Sequence, residues 1–418
     1  MANNLTFNQI ATVMTQLQIL ATGVVDIIAP VDTASFVAAA TTTLKTGYEQ
    51  VYRAISAVLG RTIFSIRPYY SKLRGMMIPD TAFKLHTRKL QMIDNNFDDN
   101  AAVAWPVHYN SEADPAYGDG ESVDMQAIKK TYPVQTNFYG MNTYADSYTV
   151  FDEQLEIAFR DPEEFAMFWT MVTQNIADRL EQSRENCARA ILCNMIGTCA
   201  KLYEDEDNLT SVVYLLDEYN ERTGLELTAE TVYAPENYPD FVRWAYGRIA
   251  EVSAKMTERS LLYQTVLESG PILHHTPKER QRLYIYAPEE MQMRANVLST
   301  TFNQQFLTLG DHETVNFWQS ILSPAKVDVI PGYIGTDGSA VVSDTGVEVD
   351  NVFGVLMDEE AGGYASIRSS IKPAPYNAAG DYQNFWIKEY NKMYMDNTEK
   401  IVVFLLTAEN GGGGGGGI

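Results

Sequence analysis

Cysteine is scarce in this chain, and its three copies, Cys187, Cys193 and Cys199, crowd into one short stretch. Residues six apart on a helix point to different faces, and no CxxC pair or neighbouring histidine completes a metal site. The three thiols therefore read as small buried hydrophobes in a reducing compartment. Histidine is almost as rare, with five copies. The adjacent pair His274-His275 is the best metal candidate, but neighbours on any regular element point apart. No HExxH and no second histidine at helical spacing supports it, so it reads as a surface or turn pair. Phosphate-cradling loops are missing too: there is no Walker loop, no GxGxxG after a strand and no GxSxG. The glycine-rich segment Gly332 to Gly338 follows a proline and leads to no helix, so it reads as a loop tip. The longest plain apolar run, Ile401 to Leu406, is far short of the ~20 residues that span a bilayer. The start, Met1-Ala2-Asn3-Asn4, lacks a basic segment followed by an apolar core, so no signal peptide is expected. These absences predict a soluble chain that is cytoplasmic in the cell that makes it. No catalytic, cofactor-binding or metal residue is assigned.

Basic residues are also in deficit. Lys and Arg total 31 against 54 Asp and Glu, a net charge of −23, which argues against a general nucleic-acid binder. The deficit is uneven. Residues 1–90 carry nine Lys/Arg and four Asp/Glu, so this portion is +5 and the rest −28. That is either chance surface charge or an arm lying against something acidic. What the chain does have is a folded composition, 45% hydrophobic and 11% aromatic, on a length of 418 that suits two or three domains. The tyrosines and tryptophans are spread along the chain and suit extensive interfaces better than one pocket. Acids are plentiful, and nothing singles out a catalytic pair.

The strongest local signal runs from Asp161 to Gly197. Asp161-Pro162-Glu163-Glu164 reads as a helix start: a capping carboxylate, proline at the first helical position, and acids facing the positive end of the dipole. Phe165, Trp169, Val172, Ile176, Leu180, Cys187, Ile191 and Met195 then recur at helical spacing, with Ser183 the polar member of the series. Gly197 reads as the residue that ends it. A helix of about 35 residues, roughly 52 Å long, is a beam on which the rest is hung.

Before it, Phe7, Ile10, Met14 and Leu17 mark an amphipathic helix that cannot bury its face alone. A second helix is expected from about Ser35 to Leu59, closed by Gly60, with Arg61 to Tyr70 extended. This portion looks like an arm whose apolar faces need partners from outside the segment. Residues 80–150 alternate apolar and polar at Phe83–Arg88 and Val134–Phe138, with Tyr144, Tyr148 and Val150 in the same parity. Between them, Asp94 to Asp124 holds eight acids and no Lys or Arg. This reads as a long two-stranded ribbon with an acidic, irregular tip that should lie on a neighbour, since isolated ribbons are marginal. The ligand spacing of a calcium loop is absent.

After the beam, residues 208–345 mix short elements into a compact α/β insertion. A helix carries Phe241, Ala245, Ile249, Val252 and Met256; strands are expected at Leu283–Tyr286 and Lys326–Ile330, and a helix starts at Pro288-Glu289-Glu290. From Val347 the chain turns β-rich, at Val352–Met357, Tyr364–Ile367, the aromatic stretch 382–394 and Ile401–Leu406. These strands are expected to give one sheet against the beam, with the aromatic stretch more core than contact. Residues 411–417 are all glycine and lie outside any fold argument.

Arm, ribbon, beam, α/β insertion and returning strands in this order resemble the major capsid protein of tailed bacteriophages, the Hong Kong 97-type fold also seen in encapsulin shells. The look is nearest to capsid proteins of the small, short-tailed phi-29-like phages. The resemblance rests on Gly47-Tyr48-Glu49-Gln50-Val51-Tyr52-Arg53 through Val58-Leu59-Gly60-Arg61, and on Asp152-Glu153-Gln154-Leu155 leading into Pro162-Glu163-Glu164-Phe165. It rests also on Asn377-Ala378-Ala379-Gly380-Asp381-Tyr382-Gln383-Asn384-Phe385-Trp386. It implies an α+β capsid fold with an N-terminal arm (1–79), an extended loop (80–150), a peripheral domain with the spine helix (151–202 and 346–410) and an axial domain (203–345), then a glycine tail (411–418). The implied function is structural and not enzymatic: a virion protein, assembled in the host cytoplasm, that builds pentamers and hexamers of an icosahedral shell around double-stranded DNA. Implied partners are other copies, a separate scaffolding protein, a portal protein and decoration or head-fibre proteins, with no membrane and no sequence-specific DNA binding. The arm begins almost at Met1, leaving no room for a fused scaffold. The ribbon tip has no lysine, which argues against a Lys–Asn crosslink there. Rival readings are an encapsulin-type compartment, a portal or tail protein, and a metal-dependent hydrolase using His274 or His275.

Overall fold

The computed structural model describes residues 7–24, 27–62, 72–77, 86–93, 132–139, 141–295 and 312–408. The arm is three helices, α1 (Phe7–Thr22), α2 (Thr33–Leu44) and α3 (Tyr48–Thr62). Asp32 starts α2 by accepting the Ser35 amide at 2.8 Å, satisfying one of the orphan donors of the first turn. The single helix expected from Ser35 to Leu59 is broken in two. Gly47 sits between the pieces at φ +106°, a conformation that side chains resist. Gly60, taken as the stop, lies inside α3; the expected extended run keeps Arg61 and Thr62 in the helix, and 63–70 lie outside the described residues. Ile10, Met14 and Leu17 of α1, Phe36 of α2, and Val51, Tyr52 and Ile55 of α3 are buried in one cluster with Phe165, Trp169, Val172 and Ile176. The arm's partner thus comes from its own chain.

Strands β1 (His86–Met92) and β2 (Pro133–Tyr139) pair antiparallel in the expected ribbon, with His86 opposite Tyr139 and Met92 opposite Pro133. The acidic tip lies outside the described residues. β3 (Asn142–Phe151), expected to continue the ribbon, joins another sheet. After α4 (Asp152–Ala158) comes the beam, α5 (Pro162–Glu204), with 43 residues. It starts where predicted, but Asp161 caps it through its backbone carbonyl, which accepts the Phe165 amide at 3.0 Å, and not through its side chain. It also runs past Gly197. That glycine is a place of close approach: a Cβ there would stand 2.3 Å from Cγ2 of Val329.

The remaining elements are β4 (Val212–Tyr214), α6 (Leu215–Thr223), α7 (Tyr238–Met256), β5 (Gln281–Tyr286), α8 (Ala287–Met293), β6 (His312–Val315), β7 (Val327–Val329), β8 (Gly332–Ile334), β9 (Ala340–Val342), β10 (Val347–Val349), β11 (Val352–Asp358), β12 (Gly362–Pro373), β13 (Tyr382–Met395) and β14 (Ile401–Leu405). The glycine-rich tip at 335–338 turns the β8–β9 hairpin.

The C-terminal strands do not form one sheet. Among the described residues, β12, β13 and β3 make a three-stranded antiparallel sheet, while β11 and β14 lie inside a mixed five-stranded sheet of order β4-β14-β11-β5-β6. Alternation explains how that sheet serves two cores. Val355, Met357, Ile401, Val403 and Leu405 face residues 187–200 of α5. Leu356, Val402 and Phe404 face α6 and α7, whose Phe241, Ala245, Ile249, Val252 and Met256 are all buried as their spacing predicts. The arm cluster is the third core and sits over the first half of α5.

Candidate assembly surfaces

Alternating burial along β13 divides the aromatic stretch between core and surface. Phe385 and Ile387 are buried, whereas Trp386 is 43% exposed. The stretch expected as core is therefore only half core. Beneath it, a charged belt separates the two cores along α5. Arg184 reaches Glu389 at 2.8 Å and Glu181 at 2.7 Å, and Ser366 donates to Glu389 at 2.5 Å. One turn on, Glu185 holds Arg189 at 2.6 Å, and the Arg189 guanidinium lies 3.7 Å above the ring centre of Phe317. All three acids are nearly buried, where a carboxylate stripped of its cation is costly.

A second polar cluster fixes the root of the ribbon. The run Asp396-Asn397-Thr398-Glu399-Lys400 is polar throughout, yet every member is buried. It crosses from β13 to β14 and so links the two sheets. Lys89 of β1 donates to Asp396 at 2.5 Å and also pairs with Glu399. Glu399 meets Nδ1 of His274 at 2.9 Å, and Nε2 of His274 meets Gln91 of β1 at 2.9 Å. Burial works against the Glu399 charge, but the bonds from His274 and Lys89 prevail and hold its carboxyl down at about 2. Lys400 donates to Ser260 Oγ and the Glu258 carbonyl, each at 3.0 Å, and burial lowers its ammonium to about 8. Asn397 exchanges two 2.8 Å bonds with the backbone of Ile334, tying in the β8–β9 hairpin. Sequence reasoning missed this cluster because its members lie between about 125 and 308 positions apart; five consecutive polar residues leading into the apolar β14 were the local hint.

His274 is thus a structural partner of Glu399, while His275 is exposed and points elsewhere. No group of three or more potential metal ligands occurs among the described residues. The cysteines are free and buried as expected, and burial pushes the thiols of Cys193 and Cys199 up to about 12, keeping them un-ionised. Glu289 is raised by burial and accepts from Tyr233 at 3.2 Å and from Tyr238, so it is already committed. No described helix is long and apolar enough to cross a membrane.

Several apolar side chains among the described residues are exposed. Tyr139, 80% exposed, stands on the ribbon with Leu90 and Met92; Leu322, 90% exposed, stands beside Ile321 on the insertion. Met167 and Met171 form a stripe on the outer face of α5. These patches suit contacts with further protein.

The model of the Phi29-like phage major capsid protein family matches residues 106–405. The chain belongs to that family. Its fold is similar to a chain in the capsid structure of Staphylococcus phage Andhra, at 9% identity and a TM-score of 0.51, covering 83% of this chain and 86% of that one. It is also similar to a chain in the structure of the head fibre and inner core protein of native bacteriophage P68, at 10% identity and a TM-score of 0.50, covering 82% and 86%. No curated protein matches the sequence. The capsid protein is therefore a structural component of a phage virion, homo-oligomeric in its capsomers, with the α+β capsid fold that the sequence resembles. The hydrolase and encapsulin readings are not favoured.

Proposed function

We propose that this capsid protein forms pentamers and hexamers of a closed icosahedral shell that encloses double-stranded DNA. The ribbon lies over the adjacent subunit, and a separate scaffolding protein guides assembly in the host cytoplasm. A portal protein occupies one vertex, and decoration or head-fibre proteins sit on the outside. In this reading α5 with β3, β12 and β13 is the peripheral unit, and the five-stranded sheet with α6 and α7 is the axial unit at the capsomer centre. The strands of 346–410 are then shared between the two units.

The observation that supports the reading best is the ribbon. Its root is clamped by Lys89, while Leu90, Met92 and Tyr139 are exposed along it. A two-stranded ribbon with uncovered apolar residues is marginal until another surface covers it. Many such contacts, each modest, close into rings and add up to a stable shell. Removal of residues 95–125 should leave a folded monomer, by circular dichroism, that forms no particles with or without the phage scaffold in electron microscopy. Normal shells from that deletion would sink the role given to the ribbon.

A further inference from the structure

The inner face of the ribbon carries a lysine pressed against two carboxylates. Paired residues of β1 and β2 share a face, so Lys89 and Gln91 stand with Thr136 and Val134 on the half-buried side, while Arg88, Leu90 and Met92 are exposed. Nζ of Lys89 lies 2.5 Å from Oδ2 of Asp396 and also touches Oε1 of Glu399. The Asp396 side chain has no exposed surface, and those of Lys89 and Glu399 keep only 17% and 10%. Other lysine–carboxylate pairs among the described residues, at Lys201, Lys255 and Lys326, are more open to solvent.

The atoms around the pair are arranged for more than charge neutralisation. Oδ1 of Asp396 accepts the Thr398 amide at 3.0 Å and the Thr398 hydroxyl at 2.5 Å, which draws electron density off the carboxyl carbon. Glu399 is fixed on its far side by Nδ1 of His274 at 2.9 Å, so its other oxygen stays against Nζ. A nucleophile, a polarised carbon and a carboxylate able to carry protons thus meet in one sheltered site. Burial works against the Lys89 charge, but Asp396 and Glu399 prevail and keep it an ammonium, so the amine is uncovered only as a proton leaves it. Two opposite charges taken out of water recover little net energy by pairing. Joining them into a neutral amide removes both from the interior.

We propose that Lys89 and Asp396 condense into an intramolecular amide, a self-made crosslink between the ribbon and the connection from β13 to β14. Glu399 takes a proton from Nζ, and the freed lone pair attacks Cγ of Asp396. The bond from Cγ to Oδ2 then breaks, and that oxygen leaves as water with the two protons lost by Nζ, passed across by Glu399. One ammonium and one carboxylate become one amide and one water, so no oxidant, cofactor or activating group is consumed. Glu399 ends as the carboxylate it began, with His274 still its partner. The bond closes a ring across 307 positions that contains α5 and the insertion. It pins the inner face of the ribbon to the body and leaves Leu90, Met92 and Tyr139 exposed on the outer one. One chain suffices, so the crosslink does not depend on shell assembly.

Mass spectrometry of the denatured full-length protein decides. The wild-type chain should weigh one water less than its sequence, and a protease digest should yield a branched peptide with Lys89 joined to Asp396. Full mass without a branched peptide, after prolonged incubation at neutral pH, leaves an ion pair only and overturns the proposal. A branch from Lys89 to Glu399 overturns it as well. Lys89→Arg and Asp396→Ala should each return the chain to full mass; a water still missing from either would place the condensation elsewhere and overturn the assignment. Glu399→Gln removes the proton carrier and should reduce the linked fraction by about tenfold or more at a fixed time after synthesis. An unchanged fraction overturns the role of Glu399. Where a variant fails to fold, the wild-type mass and branched peptide decide by themselves.

Discussion

Residues 162–180 and 187–204 lie on one helix, yet they are covered in different ways. The first half meets the arm: Phe165 packs edge-on against Phe36 with ring centres 5.7 Å apart, and its cover comes largely from residues 7–62 and from β3 and β13. The second half is enclosed by strands drawn from much of the chain, between Val212 and Leu405. Solvent reaches Met167 and Met171 on the first half, whereas few residues of the second are exposed. Cover supplied by one local stretch can be lifted off as a unit. Cover supplied by interleaved strands cannot leave without dismantling the sheets. The belt of Glu181, Arg184, Glu185 and Glu389 marks where one kind of cover gives way to the other.

Several substitutions would break or sharpen that contrast. Arg184→Ala leaves Glu389, which is fully buried, without its guanidinium, and should cost about 3–5 kcal/mol in urea unfolding. Because the belt joins the halves, one cooperative transition should persist; two separate transitions would show the halves to be independent. Phe165→Ala removes a buried ring and should cost about 3 kcal/mol or more. Hydrogen exchange should then rise across α1 to α3 and stay slow in β11 and β14; equal loosening of both regions would erase the distinction. Gly197→Ala forces a methyl toward Val329 and should cost about 1–3 kcal/mol, felt in the second half alone.

Acid should act at the root of the ribbon. Glu399 is held at about 2 in the fold against an ordinary value of 4.5, so its contribution is complete above 4.5 and is lost as pH falls toward 2. Glu399→Gln should flatten that part of the melting-temperature curve; an unchanged slope would assign acid sensitivity elsewhere. Lys400 acts with the same sign in a higher window. Its folded value of about 8 lies below the usual 10.5, so stability gains as pH rises between those values.

Much of this architecture was legible in periodicity. The start of α5, the buried face of α7 and the paired ribbon strands all follow from spacing that local physics rewards. Glycines misled in both directions. Gly197 and Gly60 looked like stops but lie within helices, while Gly47, which does interrupt one, stood in an unremarkable run. Each glycine's role depends on what approaches it in space, as Val329 approaches Gly197. The division of the C-terminal strands between two sheets was invisible for the same reason, since strand partners are chosen across hundreds of residues. The split of β13 between core and surface could have been found: its even positions carry Trp386, Lys388 and Tyr390, and its odd ones Phe385, Ile387 and Glu389.

The position of β14 has a consequence for synthesis. It fills the gap between β4 and β11, and its Val403 aligns with Val212, which left the ribosome some 190 residues earlier. Until it arrives, the two flanking strands have no neighbour at that gap, a state that favours slow folding and exposure to chaperones. A product that stalls before Ile401 therefore lacks an interior strand of the five-stranded sheet.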